Sequence, residues 1–375
     1  MHTGNEYMAN YSPLTALGLM SGTSLDGIDA AVIVSDGVQL IETGAVGSFP
    51  YDPIFREELR SCLGKTQESP GVAAVAEKLT SHHVKAVNQM LQENNMKASD
   101  IDLLGFHGHT TLHRPQDQLT VQIGDPALLA KKTGIRVIGD FRSNDLAEGG
   151  EGAPLAPLFH HALCVDLEKP LAVLNVGGVA NVTWIGERDT LADPNVMAFD
   201  TGPGNALIDD WVRTAIGYSM DEGGRLAHAG KVHEEILSGF LESPYFNRNP
   251  PKSLDRDDFS WAMQAVSGLS AEDGAATLCA FSVRSISKAR HYFPQAAKRW
   301  LVTGGGRHNT TMMGMLDLLV GGGVEPIEAI NFNGDSLEAQ AFAFLAIRSF
   351  YGLPLSLPKT TKVSRPMIGG TLFES

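Results

Sequence analysis

Cysteine is scarce in this chain: Cys62, Cys164 and Cys279 are the only three in 375 residues, and no CxxC pair occurs. That spacing offers neither a disulfide framework nor a thiolate zinc site, and it fits a reducing compartment. Long apolar runs are missing too. None approaches the ~20 residues that cross a bilayer. The opening MHTGNEYMANYSPL lacks the charged and apolar regions of a secretory leader, so a cytoplasmic protein with no membrane partner is expected. Positive charge is short: 29 Lys and Arg stand against 43 Asp and Glu, a formal net charge of -14. Such a surface argues against nucleic acid as the main partner. The Walker A pattern GxxxxGK[ST] is absent as well, so any phosphate site must rest on another loop.

What is present is ordinary globular composition, 43% hydrophobic and 19% charged, with 40 glycines gathered in short clusters. The length suggests two domains. Leu14 to Val34 reads as strand, tight turn, strand. Helical spacing covers 53–64 and 70–95, with Val72, Val75, Leu79, His83, Val87 and Met90 on one face. Strands follow at 101–107, 120–123 and 136–140, and a helix at 126–133 is stopped by Gly134. The rhythm then restarts with strands at 171–176, 180–185 and 197–200 and a helix at 205–216. Helices at 231–241 and 271–291, a strand at 300–303, and helices at 310–319 and 337–351 complete it. Two hairpin starts, each followed by alternating strands and helices, suggest two α/β halves built to one plan, although no literal repeat exists. We expect 1–143 as the first domain, completed by a C-terminal helix within 337–375, and 144–336 as the second.

Three glycine-bearing motifs carry the chemistry. MSGTSLDGID presents hydroxyls and backbone N–H groups in a tight turn, an anion-binding nest for phosphate oxygens; its plainer role is a hairpin turn. Its residues Gly22, Thr23, Ser24, Leu25, Asp26, Gly27, Ile28 and Asp29 form the first candidate nucleotide site, and Asp26 and Asp29 are candidate magnesium ligands, directly or through water. NVGGVAN supplies Asn175, Gly177 and Gly178, and FDTGPGN supplies Asp200, Gly202, Gly204 and Asn205. A carboxylate at the carboxyl end of a strand, beside a turning loop and a helix start, can act as general base; otherwise it caps the turn. TGGGRHN offers Gly304, Gly305, Gly306 and Asn309, glycines that admit a flat ligand or merely turn the chain. His107, Gly108, His109, Arg142 and Glu338 are further candidates. His82-His83 and His160-His161 read as structural, and no zinc site is expected.

In order along the chain, GLMSGTSLDGID, GDFR, EGAPLAPLFHHAL, VLNVGGVANVTWI, FDTGPGN, PKS in PPKSLD, TGGGRHN and EAQAFAFLA closely resemble the anhydro-N-acetylmuramic acid kinase family. The resemblance runs from about residue 16 to residue 350. It implies an α/β, actin-like ATPase (ribonuclease H-like) fold, with two related domains around a central cleft that closes over ATP and sugar. It further implies that Gly22–Asp29 holds the ATP phosphates, that TGGGRHN lies near the nucleoside, and that Asp200 is the base. Glu338 would stand near the reacting water, and His107-Gly108, with His109, and Arg142 would line the sugar site. The cofactors implied are ATP and Mg2+, with Asp26 and Asp200 as candidate ligands beside phosphates and water; the substrate is 1,6-anhydro-N-acetylmuramic acid, and a homodimer is implied. The chain departs from the family pattern at HGHT, where His109 replaces the usual glutamine, and at PKSLD, and it matches poorly beyond about Pro354. The alternatives are an actin-like kinase of a simple sugar hydroxyl and an ATP-driven regulatory module.

Overall fold

The computed structural model describes residues 11–22, 25–187 and 194–375. The first sheet begins with β1 (Leu14–Ser21) and β2 (Gly27–Ser35), paired antiparallel, with β3 (Leu40–Pro50) antiparallel to β2 on the outer side. Helix Val72–Glu93 follows. It buries Val72, Val75, Leu79, His83, Val87 and Met90, the face its spacing foretold. β4 (Leu103–Arg114) lies parallel to β1, β5 (Leu119–Ile123) folds back on the far half of β4, and β6 (Val137–Gly139) runs parallel to β4.

The second sheet repeats this plan. β7 (Leu171–Val176), β8 (Val179–Ile185) and β9 (Val196–Pro203) form an antiparallel meander; β10 (Arg299–Thr303) lies parallel to β7, and β11 (Val324–Pro326) parallel to β10. The order β9-β8-β7-β10-β11 matches β3-β2-β1-β4-β6 strand for strand in position and direction. This is the actin-like, ribonuclease H-like α/β topology carried twice. The chain then returns to the first sheet through helix Leu337–Phe350 and β12 (Thr371–Phe373), which pairs with β6. The compact units follow from that return. One takes the residues up to Asp166 together with Ser336–Ser375, and the other is drawn from Leu167–Asp335. Among the described residues, no helix is long and apolar enough to cross a membrane.

Several elements differ from their expected extents. β3 had no expected counterpart. The expected strand at 101–107 continues to Arg114, because Gly108 takes a left-handed φ of 73° and turns the chain into the β4–β5 pairing. The strand at 197–200 likewise continues to Pro203. The helix expected at 231–241 is Glu234–Leu241, preceded by Arg225–Ala229, and Gly230 parts the two in extended conformation.

Two glycines let a helix approach the first sheet. Helix Leu337–Phe350 is buried at every position from Ala339 to Ile347. A Cβ on Gly18 of β1 would stand 1.8 Å from the Ala339 carbonyl oxygen, and one on Gly105 of β4 would stand 2.2 Å from that of Phe342. Backbone cannot yield as a flexible side chain does. Gly18→Ala is therefore expected to cost about 3 kcal/mol or more, read as a lowered midpoint in urea denaturation; an unchanged midpoint contradicts this packing.

Candidate functional site

In the second unit, three glycine-rich motifs far apart in sequence meet at the ends of β7, β9 and β10. The β7–β8 turn contains Gly177 and Gly178, whose carbonyls accept the N–H groups of Asn205 (2.8 Å) and Gly204 (2.9 Å). The Asn205 side chain donates to Val176 O at 3.0 Å, tying the head of helix Ala206–Ile216 to the end of β7. A Cβ on Gly204 would lie 2.2 Å from Gly177 O, so this approach requires glycine. Gly304 and Gly306 close on the same turn: a Cβ on either would fall within 2.4 Å of Asn175 Oδ1 or Val176 Cγ1, respectively. Three glycine turns and a helix N-terminus thus gather at one place, with the N–H groups of Gly204, Asn205 and Ala206 already bonded to the Gly177 and Gly178 carbonyls.

Asp200 stands beside that cluster. It lies within β9, opposite Asn181 of β8, and the register slips just after it, so that Gly202 pairs with Ala180. Such a bulge re-aims the neighbouring side chains. Asp200 is 7% exposed. One carboxylate oxygen accepts the N–H of Leu254 at 2.8 Å, from a segment 54 residues further along. Its own N–H donates to Lys252 O at 2.9 Å, and its carbonyl accepts the Tyr245 hydroxyl. The 252–254 segment therefore holds this aspartate on both its backbone and its side chain, a non-local grip that sequence could not reveal.

The Gly304–Gly306 turn has a brace of its own. Arg307, buried at 2% side-chain exposure, pairs with Glu328 at 2.9 Å and Asp335 at 2.8 Å, and donates to Gly304 O at 3.0 Å. Asn309 caps helix Thr310–Val320 by accepting the Met312 N–H at 2.9 Å. Thr310 and Thr311 donate to the carbonyls of Gly223 and Gly224, bringing a further glycine turn to the same helix start. Sequence reading missed Arg307 and Gly223-Gly224; the Gly-Gly dipeptide was the available signal for the latter.

In the first unit, the segment Gly22–Asp29 runs from the end of β1 into β2. Leu25 donates its N–H to Gly22 O and adopts a left-handed φ of 61°. Asp26 is exposed, whereas Gly27, Ile28 and Asp29 already belong to β2. Thr23 and Ser24 lie outside the described residues. Beneath the turn, Ser21 Oγ shares hydrogen bonds with Tyr51 (2.7 Å) and with His109 Nδ1 (3.0 Å). Burial pushes the Tyr51 phenol up, and the negative charges of Asp26 and Asp29 add to that shift. His107 and Arg142 are brought together. The guanidinium donates to His107 Nε2 at 3.0 Å and to Gly152 O at 2.6 Å. Burial, then the Arg142 charge, holds His107 neutral, well below the usual histidine range. Glu338 sits exposed in the first turn of helix Leu337–Phe350, where the helix dipole favours a carboxylate.

Two sheets of one topology, each opening on a hairpin with a glycine-bearing turn, place the chain in the class of actin-like, ribonuclease H-like folds. A family model described as Anhydro-N-acetylmuramic acid kinase matches residues 14–375. The chain belongs to that family. The anhydro-N-acetylmuramic acid kinase of Paramagnetospirillum magneticum is 50% identical over 358 residues, spanning 95% of this chain and 99% of its own. That of Rhodospirillum rubrum is 50% identical over 361 residues, spanning 96% and 94%. Among solved structures, component A of the (R)-2-hydroxyglutaryl-CoA dehydratase of Acidaminococcus fermentans aligns with a TM-score of 0.47 at 14% identity, over 89% of this chain and 98% of that one.

Proposed function

We propose that this kinase opens the internal 1,6-bridge of 1,6-anhydro-N-acetylmuramic acid with water and phosphorylates the released O6. The observation that carries the reading is the Asp200 carboxylate, 7% exposed, gripped by Leu254 and set beside converging glycine turns. Asp200 takes a proton from water as its oxygen bonds to C1. The C1–O6 bond breaks, O6 bonds to the γ-phosphorus, and ADP leaves; the proton passes from Asp200 to solvent. Inverting glycosidases use a base in the same way but need an acid for the leaving oxygen; here the phosphoryl electrophile receives it. Charge neutralisation and in-line placement do the rest.

Backbone N–H groups of the Gly22–Asp29 turn hold phosphate oxygens, and the Gly177–Gly178, Gly204–Asn205 and Gly304–Gly306 turns hold the rest of the nucleotide. Arg142, fixed by His107 and Gly152, neutralises the carboxylate of the sugar's lactyl group. His107, Gly108 and His109 line the sugar, and Glu338 stands near the reacting water. Magnesium would neutralise the triphosphate. Among the described residues no group of three or more His, Cys, Asp or Glu could hold an ion; phosphate and water oxygens would ligate the magnesium, with exposed Asp26 or buried Asp200 contributing. Cytoplasmic recycling of cell-wall sugar and a homodimer complete the proposal.

The test is mass spectrometry of the product made in heavy-oxygen water. Label on the C1 oxygen with phosphate on O6 is expected. Phosphate transfer without label, or turnover of N-acetylglucosamine but not of the anhydro sugar, instead supports a kinase of simple hydroxyls.

A further inference from the structure

The segment that holds Asp200 is itself held in an unusual way. Lys252 is 2% exposed, yet no carboxylate pairs with it among the described residues. Its ammonium donates to Tyr245 O at 3.1 Å and lies 4.4 Å above the Tyr245 ring and 5.0 Å above that of Tyr292. Arg248 lies over the Tyr245 ring at 5.4 Å, and Lys288 over that of Phe246 at 5.5 Å. Burial, followed by repulsion from Arg248 and Lys288, brings the Lys252 ammonium down to about 8, while Asp200 pulls it upward. A methionine would fill this space without such an electrostatic cost, so the charge calls for a reason.

The hydrogen bonds supply one, because they close a ring. Lys252 Nζ donates to Tyr245 O, Tyr245 Oη donates to Asp200 O, and Asp200 N donates to Lys252 O. Two residues on, Leu254 N meets the Asp200 carboxylate. We infer that Lys252 and Tyr245 are positioning residues, a clasp that fixes the direction of the Asp200 carboxylate through the 252–254 backbone. This rests on Asp200 as the general base. Neither side chain touches the reacting atoms. They act on the rate by narrowing the angles the carboxylate can sample, and a displacement near 1 Å at such a group costs roughly 100-fold.

The experiment uses the full-length enzyme and four variants: Lys252→Met, Tyr245→Phe, Asp200→Asn and the double variant Asp200→Asn/Lys252→Met. Steady-state release of ADP is followed as a function of anhydro sugar and ATP. Lys252→Met and Tyr245→Phe are each expected to lower kcat by about 10- to 100-fold, with both KM values within about threefold of the parent. A merely structural role lowers the urea midpoint and leaves kcat per folded enzyme in place. In the Asp200→Asn background, Lys252→Met is expected to add no further loss, since it has no carboxylate left to aim. Wild-type kcat in both single variants overturns the clasp, as does loss confined to KM or a full additive loss in the double variant. Wild-type kcat in Asp200→Asn overturns the base assignment instead. Tyr245→Phe removes one hydroxyl and keeps the ring, so it decides the matter where Lys252→Met fails to fold.

Discussion

Asp200→Asn is expected to lower kcat by about 10²- to 10⁴-fold while leaving the binding of ATP and sugar intact. The substitution is nearly isosteric, and the amide oxygen still accepts the Leu254 N–H that the carboxylate accepts at 2.8 Å. The backbone bonds to Lys252 and Tyr245 do not involve the side chain at all. What disappears is the ability to take a proton from water. In the proposed reaction O6 leaves C1 only as water adds there, so hydrolysis and phosphoryl transfer should fall together. Titration calorimetry with a non-hydrolysable ATP analogue separates binding from turnover, and ADP release reads the rate. Retained turnover removes Asp200 from this role, whatever else the site does.

A second large effect is expected from acid. His83, His109, His113 and His160 are each brought down from an ordinary 6.5 to about 4 by burial, and His107 is brought well below by burial and Arg142. All five belong to the first unit. Below pH 6.5 the unfolded chain takes up protons at these rings and the folded chain does not, so stability falls as pH drops from 6.5 towards 4. At 1.36 kcal/mol per pH unit for each ring, the five together remove on the order of 5–10 kcal/mol by pH 5, which rivals the whole stability of an ordinary domain. Asp209, pushed up to about 7 by burial and then by Asp210, works in the opposite direction, but it is one group in the second unit. Urea midpoints should therefore fall steeply between pH 6.5 and pH 5, with the first unit lost first. A midpoint flat over that range contradicts neutral burial of these histidines.

Local features were the legible part. Helix Pro126–Thr133 could be read to the residue because its signals are all adjacent: Asp125 accepts the Leu128 N–H, proline opens the first turn, and Gly134 ends it in left-handed conformation. The doubled topology was legible in its two hairpin starts. β3 was not: its pleat half-buries Ala45, Gly47 and Phe49 while Ile41 and Val46 are exposed, so no hydrophobic alternation in the sequence marks it. Asp200 was legible as a residue but misplaced at a strand end, because Gly202 and Pro203 look like turn chemistry and yet continue β9 through a bulge. Its grip by Tyr245, Lys252 and Leu254, and the Arg307 brace on the glycine turn, depend on partners tens of residues away. Chain-local spacing carries no trace of such contacts.

The first sheet takes β12 and its covering helix from the far end of the chain, whereas the second unit is drawn from one interval between Leu167 and Asp335. During synthesis on a ribosome, that interval has every strand of its sheet before the last forty residues exist. The earlier-made portion must wait, with Gly18 and Gly105 facing an empty groove, until helix Leu337–Phe350 emerges to fill it. The half begun first thus receives its last strand and its covering helix at the end: a chain cut after Asp335 holds every strand of one sheet and leaves the other without β12 and helix Leu337–Phe350.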